Sequence, residues 1–139
     1  TLGLRMEREC SNALELASWI ENNYPDIKVN YPGLCSSKWH EIAKKQLTNG
    51  YGAILTIRVG SKEKAFKFID SLTIPYTLSN IEDTKTLVIH PGSTISLHST
   101  DKQKEDAGVF EDLIRVSVGI EDIDDLKEDF AQAFANIAD

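Results

Sequence analysis

No stretch of the 139-residue chain is apolar for long enough to cross a bilayer as a helix. Basic residues are in the minority: 15 lysines and arginines stand against 22 acids, for a net charge of −7. A nucleic-acid binder needs a basic face for phosphate, so that class is disfavoured. The only two cysteines, Cys10 and Cys35, make neither a metal-type cluster nor a disulfide framework, and a reducing cytoplasm is the expected compartment. The three histidines, His40, His90 and His98, fall in no metal-ligand spacing, and no nucleophile motif accompanies them. Gly50, Gly52 and Gly60 form no phosphate-cradling pattern, and no internal repeat or low-complexity segment is present.

What remains is one domain's length of chain with 41% hydrophobic residues, enough for a core. Apolar residues at Cys10, Ala13, Leu14, Ala17 and Ile20 predict an amphipathic helix from about Leu2 to Asn22. Ile27 to Asn30 reads as a short strand, followed by a turn at Tyr31-Pro32-Gly33. Ser36 or Ser37 is placed to cap a second helix with Trp39, Ile42, Ala43 and Leu47 inward, closed by Asn49-Gly50. Ala53 to Val59 alternates as a strand, and Ser61 caps a third helix carrying Ala65, Phe68, Ile69 and Leu72. Brief strands are expected at Ile74 to Leu78 and Thr86 to Ile89, with loops over Asn80 to Lys85 and most of Pro91 to Ala107. A last helix runs from about Asp122 to Ile137, its first turn loaded with acids that suit the positive helix end. The class predicted is α+β: a small antiparallel or mixed sheet with helices packed on one face. The first residue is threonine and the first eight already read as helix, so the chain is expected to be a piece of a longer polypeptide.

The stretch Asp112 to Leu126 (DLIRVSVGIEDIDDL) carries the strongest functional signal. In a strand, Ile114, Val116 and Val118 share one face, and Leu113, Arg115 and Ser117 the other. The helices should cover the first face. The second, holding Arg115, is expected to be bare and to need cover from outside the chain. A guanidinium within an apolar strand is costly unless paired. Its planar fork suits a carboxylate or phosphate, so Arg115 reads either as an anion receptor or as half of a structural ion pair.

Other groups have plainer readings. His90, before Pro91, should end a strand and satisfy a hydrogen bond. Cys10 belongs to the inner helix face. Cys35 lies in a loop where Lys38 is the only neighbour that favours a thiolate. The acids from Glu121 to Asp129 read as a helix N-terminus and a solvated face, and a calcium loop's alternating oxygens and central glycine are absent.

Asn30 to Leu34 (NYPGL), Ser79 to Pro91 (SNIEDTKTLVIHP) and Asp112 to Leu126 together resemble the C-terminal part of the cystathionine and methionine-metabolism enzymes that use pyridoxal phosphate. The resemblance runs in order over essentially the whole chain and is strongest toward the O-acetylhomoserine sulfhydrylases. It implies that residues 1–139 are a single C-terminal substrate-binding domain, an α+β layer packed on a large cofactor domain absent from this chain. The parent would be a homotetramer converting O-acetylhomoserine and sulfide to homocysteine and acetate. The family's carboxylate-clamping arginine falls on Arg115, and its neighbouring substrate position on Asn80, with Ile81 beside it. The cofactor lysine and phosphate-binding residues would belong to the missing domain, so this chain alone should be inactive, with no catalytic, cofactor or metal residue of its own; Lys85 is read as a surface lysine. One departure stands out: Thr94, Ile95 and Ser96 occupy the positions where the family has Thr-Thr-His or Met-Thr-His. The alternatives are a parent γ-lyase or γ-synthase, or a stand-alone non-catalytic module.

Overall fold

The sheet is the frame, and its strands run in the order β1-β2-β5-β4-β3. The computed structural model describes all 139 residues. The long helix α1 (Leu2–Asn23) leads into β1 (Lys28–Asn30), the short α2 (His40–Gln46), β2 (Ile54–Arg58) and α3 (Lys62–Ser71). Then come β3 (Tyr76–Thr77), β4 (Leu87–Ile89), a 3-10 turn (Pro91–Ser93), α4 (Asp101–Asp106), β5 (Leu113–Ser117) and α5 (Ile123–Ile137). The pairs are antiparallel except β3 with β4, which is parallel. The mixed α+β expectation is therefore met.

Register fixes which side chains share a face, because successive residues alternate. Arg115 stands opposite Thr56 on β2 and Ile89 on β4; Val116 stands opposite Leu55 and Val88. Leu55, Ile57, Val88, Ile114 and Val116 thus form one buried face, and α1, α3 and α5 cover it. Ala13, Leu16, Ala17 and Ile20 of α1 meet Phe68 of α3 and Leu126, Phe130 and Phe134 of α5 in that core. Phe68 and Phe130 pack edge to face with centroids 5.5 Å apart, a geometry the ring quadrupoles favour.

The helix ends follow local chemistry. Ser61 accepts from the Lys64 amide at 3.1 Å, and Asp122 from the Asp124 amide at 2.9 Å, satisfying donors the first turn leaves free. The segment from Pro91 to Ala107, expected as loop, contains α4. Its capping box, Thr100 with Gln103, closes a single polar turn that leaves no apolar periodicity to read.

The second helix departs further from expectation. Trp39, Ile42 and Leu47 are 52%, 49% and 45% exposed, and only Ala43 is buried. Its start explains this. Residues 31–40 form successive three-residue turns, with amides of Leu34, Ser37 and His40 donating to the carbonyls of Tyr31, Leu34 and Ser37. The Ser37 hydroxyl caps that turn through the Trp39 amide, so α2 begins at His40 and its apolar stripe faces away from the core. Nor does Gly50 cap the helix. It is needed because its φ is +149° and a side chain there would collide with Cys10 at 2.9 Å.

The acids after β5 are also not merely a solvated face. Asp129 is buried and accepts from the amides of Thr73 and Ile74 and from the Thr73 hydroxyl, anchoring the chain after α3 onto α5.

Candidate functional site

Arg115 projects from the centre of β5 onto the sheet face opposite the helices. That face is not bare, contrary to expectation: Leu87, Ile89, Leu113 and Ser117 share it and are all buried. Two segments of the chain provide the cover. The 90–112 segment is closed at its ends by His90, whose ring nitrogens lie 2.8 Å from the Ser93 hydroxyl and 2.7 Å from the Glu111 carbonyl. His90 is thus a satisfied structural group. The other cover is the loop from Ser79 to Thr86.

That loop is pinned by the RVSVGIE stretch, residue by residue. Arg115 Nη2 donates to the Ser79 carbonyl at 2.7 Å. The Ser117 hydroxyl accepts from the Glu82 amide at 2.7 Å. Gly119 lets the backbone at Thr84 and Lys85 approach, where a side chain would collide with both, and its amide donates to the Thr86 hydroxyl at 2.9 Å. The Ile120 amide reaches the Thr84 carbonyl at 2.9 Å, and the Glu121 carboxylate accepts from the Thr86 amide and hydroxyl. Glu82 pays a local strain, with φ at +55°.

Arg115 itself is half-buried. The four ion pairs of the chain lie elsewhere, and no carboxylate pairs with this guanidinium. Its Nε is buried with no partner. A cation held this way, with one hydrogen bond to a neutral carbonyl, retains unused donor capacity for an anion. The nearby cation Arg58 is in the opposite condition: its Nε donates to Asp112 at 2.9 Å and its guanidinium covers the Phe110 ring.

Asn80 and Ile81 follow Ser79 directly, and both are exposed. The structure therefore brings the three sequence-predicted site residues onto one loop and the strand beneath it. Ile95 is exposed, while Thr94 donates to the His90 carbonyl at 2.7 Å. Within the loop, the Lys85 amide and then the Thr84 hydroxyl hold the Asp83 carboxyl below its ordinary value. Beneath lies Glu9 of α1, fully buried, with both carboxylate oxygens unpartnered. Burial pushes its pKa up; Arg5 opposes this, and Glu82, Asp83 and Glu121 add to it.

Sequence reasoning missed Ser117, Gly119 and Glu121 as loop anchors. Their spacing was visible, but the partner loop was not. It also missed His40 beside Cys35, because only the turn brings them together: His40 Nε2 lies 3.9 Å from Cys35 Sγ.

Nothing here forms a cradle for a phosphorylated cofactor. Of the glycines with positive φ, Gly50 and Gly52 share the loop before β2 while Gly60 and Gly108 stand on two others, and the Lys85 ammonium lies 4.4 Å over the Tyr76 ring. No group of three or more histidine, cysteine or acidic side chains is placed to hold a metal ion. No helix is long and apolar enough to cross a membrane.

The sequence pattern of the Cys/Met metabolism PLP-dependent enzymes matches residues 1–135. The chain belongs to that family. A homocysteine synthase of Schizosaccharomyces pombe is 48% identical over 134 residues, covering 96% of this chain and 31% of the relative. An O-acetyl-L-homoserine sulfhydrylase of Leptospira meyeri is 45% identical over 140 residues, covering 99% and 31%. Among solved structures, an O-acetylhomoserine (thiol)-lyase of Campylobacter jejuni, which carries a pyridoxyl-lysine phosphate, superposes with a TM-score of 0.91 at 34% identity, covering 96% of this chain and 32% of that one. The chain thus spans about a third of the length of the relatives it matches.

Proposed function

We propose that residues 1–139 are the C-terminal, substrate-clamping domain of an O-acetylhomoserine sulfhydrylase-like enzyme. The observation that carries this reading is the unpaired, half-buried guanidinium of Arg115 beside an exposed loop. Arg115 grips the α-carboxylate of the amino-acid substrate, and Asn80 donates its amide to the same group. Ile81 offers apolar contact beside them. Two-point contact with a carboxylate fixes its plane and so orients the Cα–H of the substrate, which makes positioning the domain's main contribution.

The cofactor is pyridoxal phosphate, held by a large domain outside this chain; bound there, it supplies the electron sink for losing acetate and adding sulfide. This chain's share is to bind and orient. Alone it is inactive, and the parent assembles as a homotetramer. The family membership and the names of the relatives support the same reaction class.

The test is an assay of the complete enzyme. O-acetylhomoserine with sulfide should yield homocysteine and acetate, with cystathionine and methionine turned over far more slowly. Preferential cleavage of cystathionine or methionine would instead make the parent a γ-lyase. No activity with any of them, in a protein lacking a cofactor domain, would mark a non-catalytic module.

A further inference from the structure

The NYPGL turn has no part in the carboxylate site, yet it is built with unusual rigidity. Tyr31 is fully buried, and its hydroxyl donates to the Gly52 carbonyl at 2.8 Å. A side chain on Gly33 would run into the rings of Tyr31 and Tyr51. Leu34 is buried immediately after. From this fixed base Cys35 emerges exposed to solvent.

His40 is held just as firmly. Its Nδ1 lies 2.9 Å from the Pro32 carbonyl, and its ring packs against Tyr51 with centroids 5.6 Å apart. A carbonyl oxygen only accepts, so in the neutral ring the proton sits on Nδ1 and the lone pair on Nε2. His40 Nε2 lies 3.9 Å from Cys35 Sγ, within reach for a thiol hydrogen bond to the neutral ring. A nucleophile, a base and a group orienting the base are thus present in one short segment. Cys10 has no such arrangement: its sulfur packs where Gly50 approaches.

We propose that this turn is a thiol-exchange site, with Cys35 as nucleophile, His40 as base and a low-molecular-weight disulfide as substrate. The Cys35 proton passes to His40 Nε2 as the sulfur attacks one sulfur of the disulfide. A new S–S bond joins Cys35 to that half, and the original S–S bond breaks. The other half leaves as a thiolate and takes the proton from His40. Cys35 is oxidised and the leaving half reduced, so no further redox partner is needed. A free thiol reverses the step. The site is independent of the Arg115 reading.

The test uses the complete protein that carries this chain, with oxidised glutathione as the probe. Mixed disulfide at Cys35 and at Cys10 is followed over time by peptide mass mapping without reductant. Cys35 in the native protein should react at least about tenfold faster than Cys10, and faster than Cys35 in urea-unfolded protein. His40→Asn keeps a donor toward Pro32 but removes the base, and should slow Cys35 about tenfold or more while leaving Cys10 unchanged. Equal native and unfolded rates at Cys35 would overturn the proposal even if the variant failed to fold. So would a His40→Asn protein that reacts as fast as the parent.

Discussion

The Arg115 guanidinium donates to the backbone carbonyl of Ser79, 36 residues before it, and to no carboxylate. A neutral carbonyl is a weaker partner than an anion, so the cation is held in position without being neutralised. The same loop is fastened two residues further along β5, where Ser117 accepts from the Glu82 amide. Ser117→Ala removes that fastening and leaves the part-buried Glu82 amide without its acceptor, at a cost of about 1 kcal/mol. In the complete enzyme we expect KM for the amino-acid substrate to rise several-fold with kcat less affected, read from steady-state kinetics. An unchanged KM would detach the loop from substrate binding.

Gly119 is the tightest point of the loop's attachment. A methyl group there meets the Thr84 carbonyl, the Lys85 carbonyl carbon and the Glu121 carboxylate, and two of these are backbone that must move. Gly119→Ala should lower stability by roughly 1–3 kcal/mol, or more if the loop cannot shift. Denaturant unfolding of the purified protein measures this directly. A variant as stable as the parent would show that the Thr84–Lys85 backbone yields freely.

Glu9 offers a pH test. Its buried carboxyl has a folded-state pKa above the ordinary 4.5. As pH rises past 4.5 the unfolded chain therefore loses this proton first, and stability falls until the folded carboxyl ionises too. Below 4.5 the penalty is absent. Glu9→Gln removes the titration, so the variant should match the parent most nearly at pH 4 and become progressively more stable than it toward pH 7. Melting temperatures across that range would show the gap opening. A gap constant with pH would mean that Glu9 ionises as freely in the folded state as in the unfolded one.

Much of this fold was legible in the residues. The alternation around β2 and β5, the serine before α3 and the acid-rich start of α5 each express a local rule that tertiary contacts reinforce. What was hidden depended on partners distant in sequence. Trp39, Ile42 and Leu47 had helical spacing, but the turn after Tyr31 swung them outward. Asp129 resembled a surface acid until the Thr73 amide was seen to need an acceptor. Arg115 was visible as an anomaly in an apolar strand. Its lack of an acidic partner, which separates receptor from ion pair, needed coordinates.

The most direct test of the central claim is kcat/KM of the complete enzyme for O-acetylhomoserine before and after Arg115→Ala. Two hydrogen bonds to a charged group, each worth about 1.5–3 kcal/mol, correspond to a loss of about a hundredfold or more. Arg115→Lys should recover little of it, since an ammonium lacks the planar fork. A loss of that size, shared between a higher KM and a lower kcat, is the expected result. A kcat/KM within about twofold of the parent would contradict the assignment of Arg115 as the group that grips the substrate.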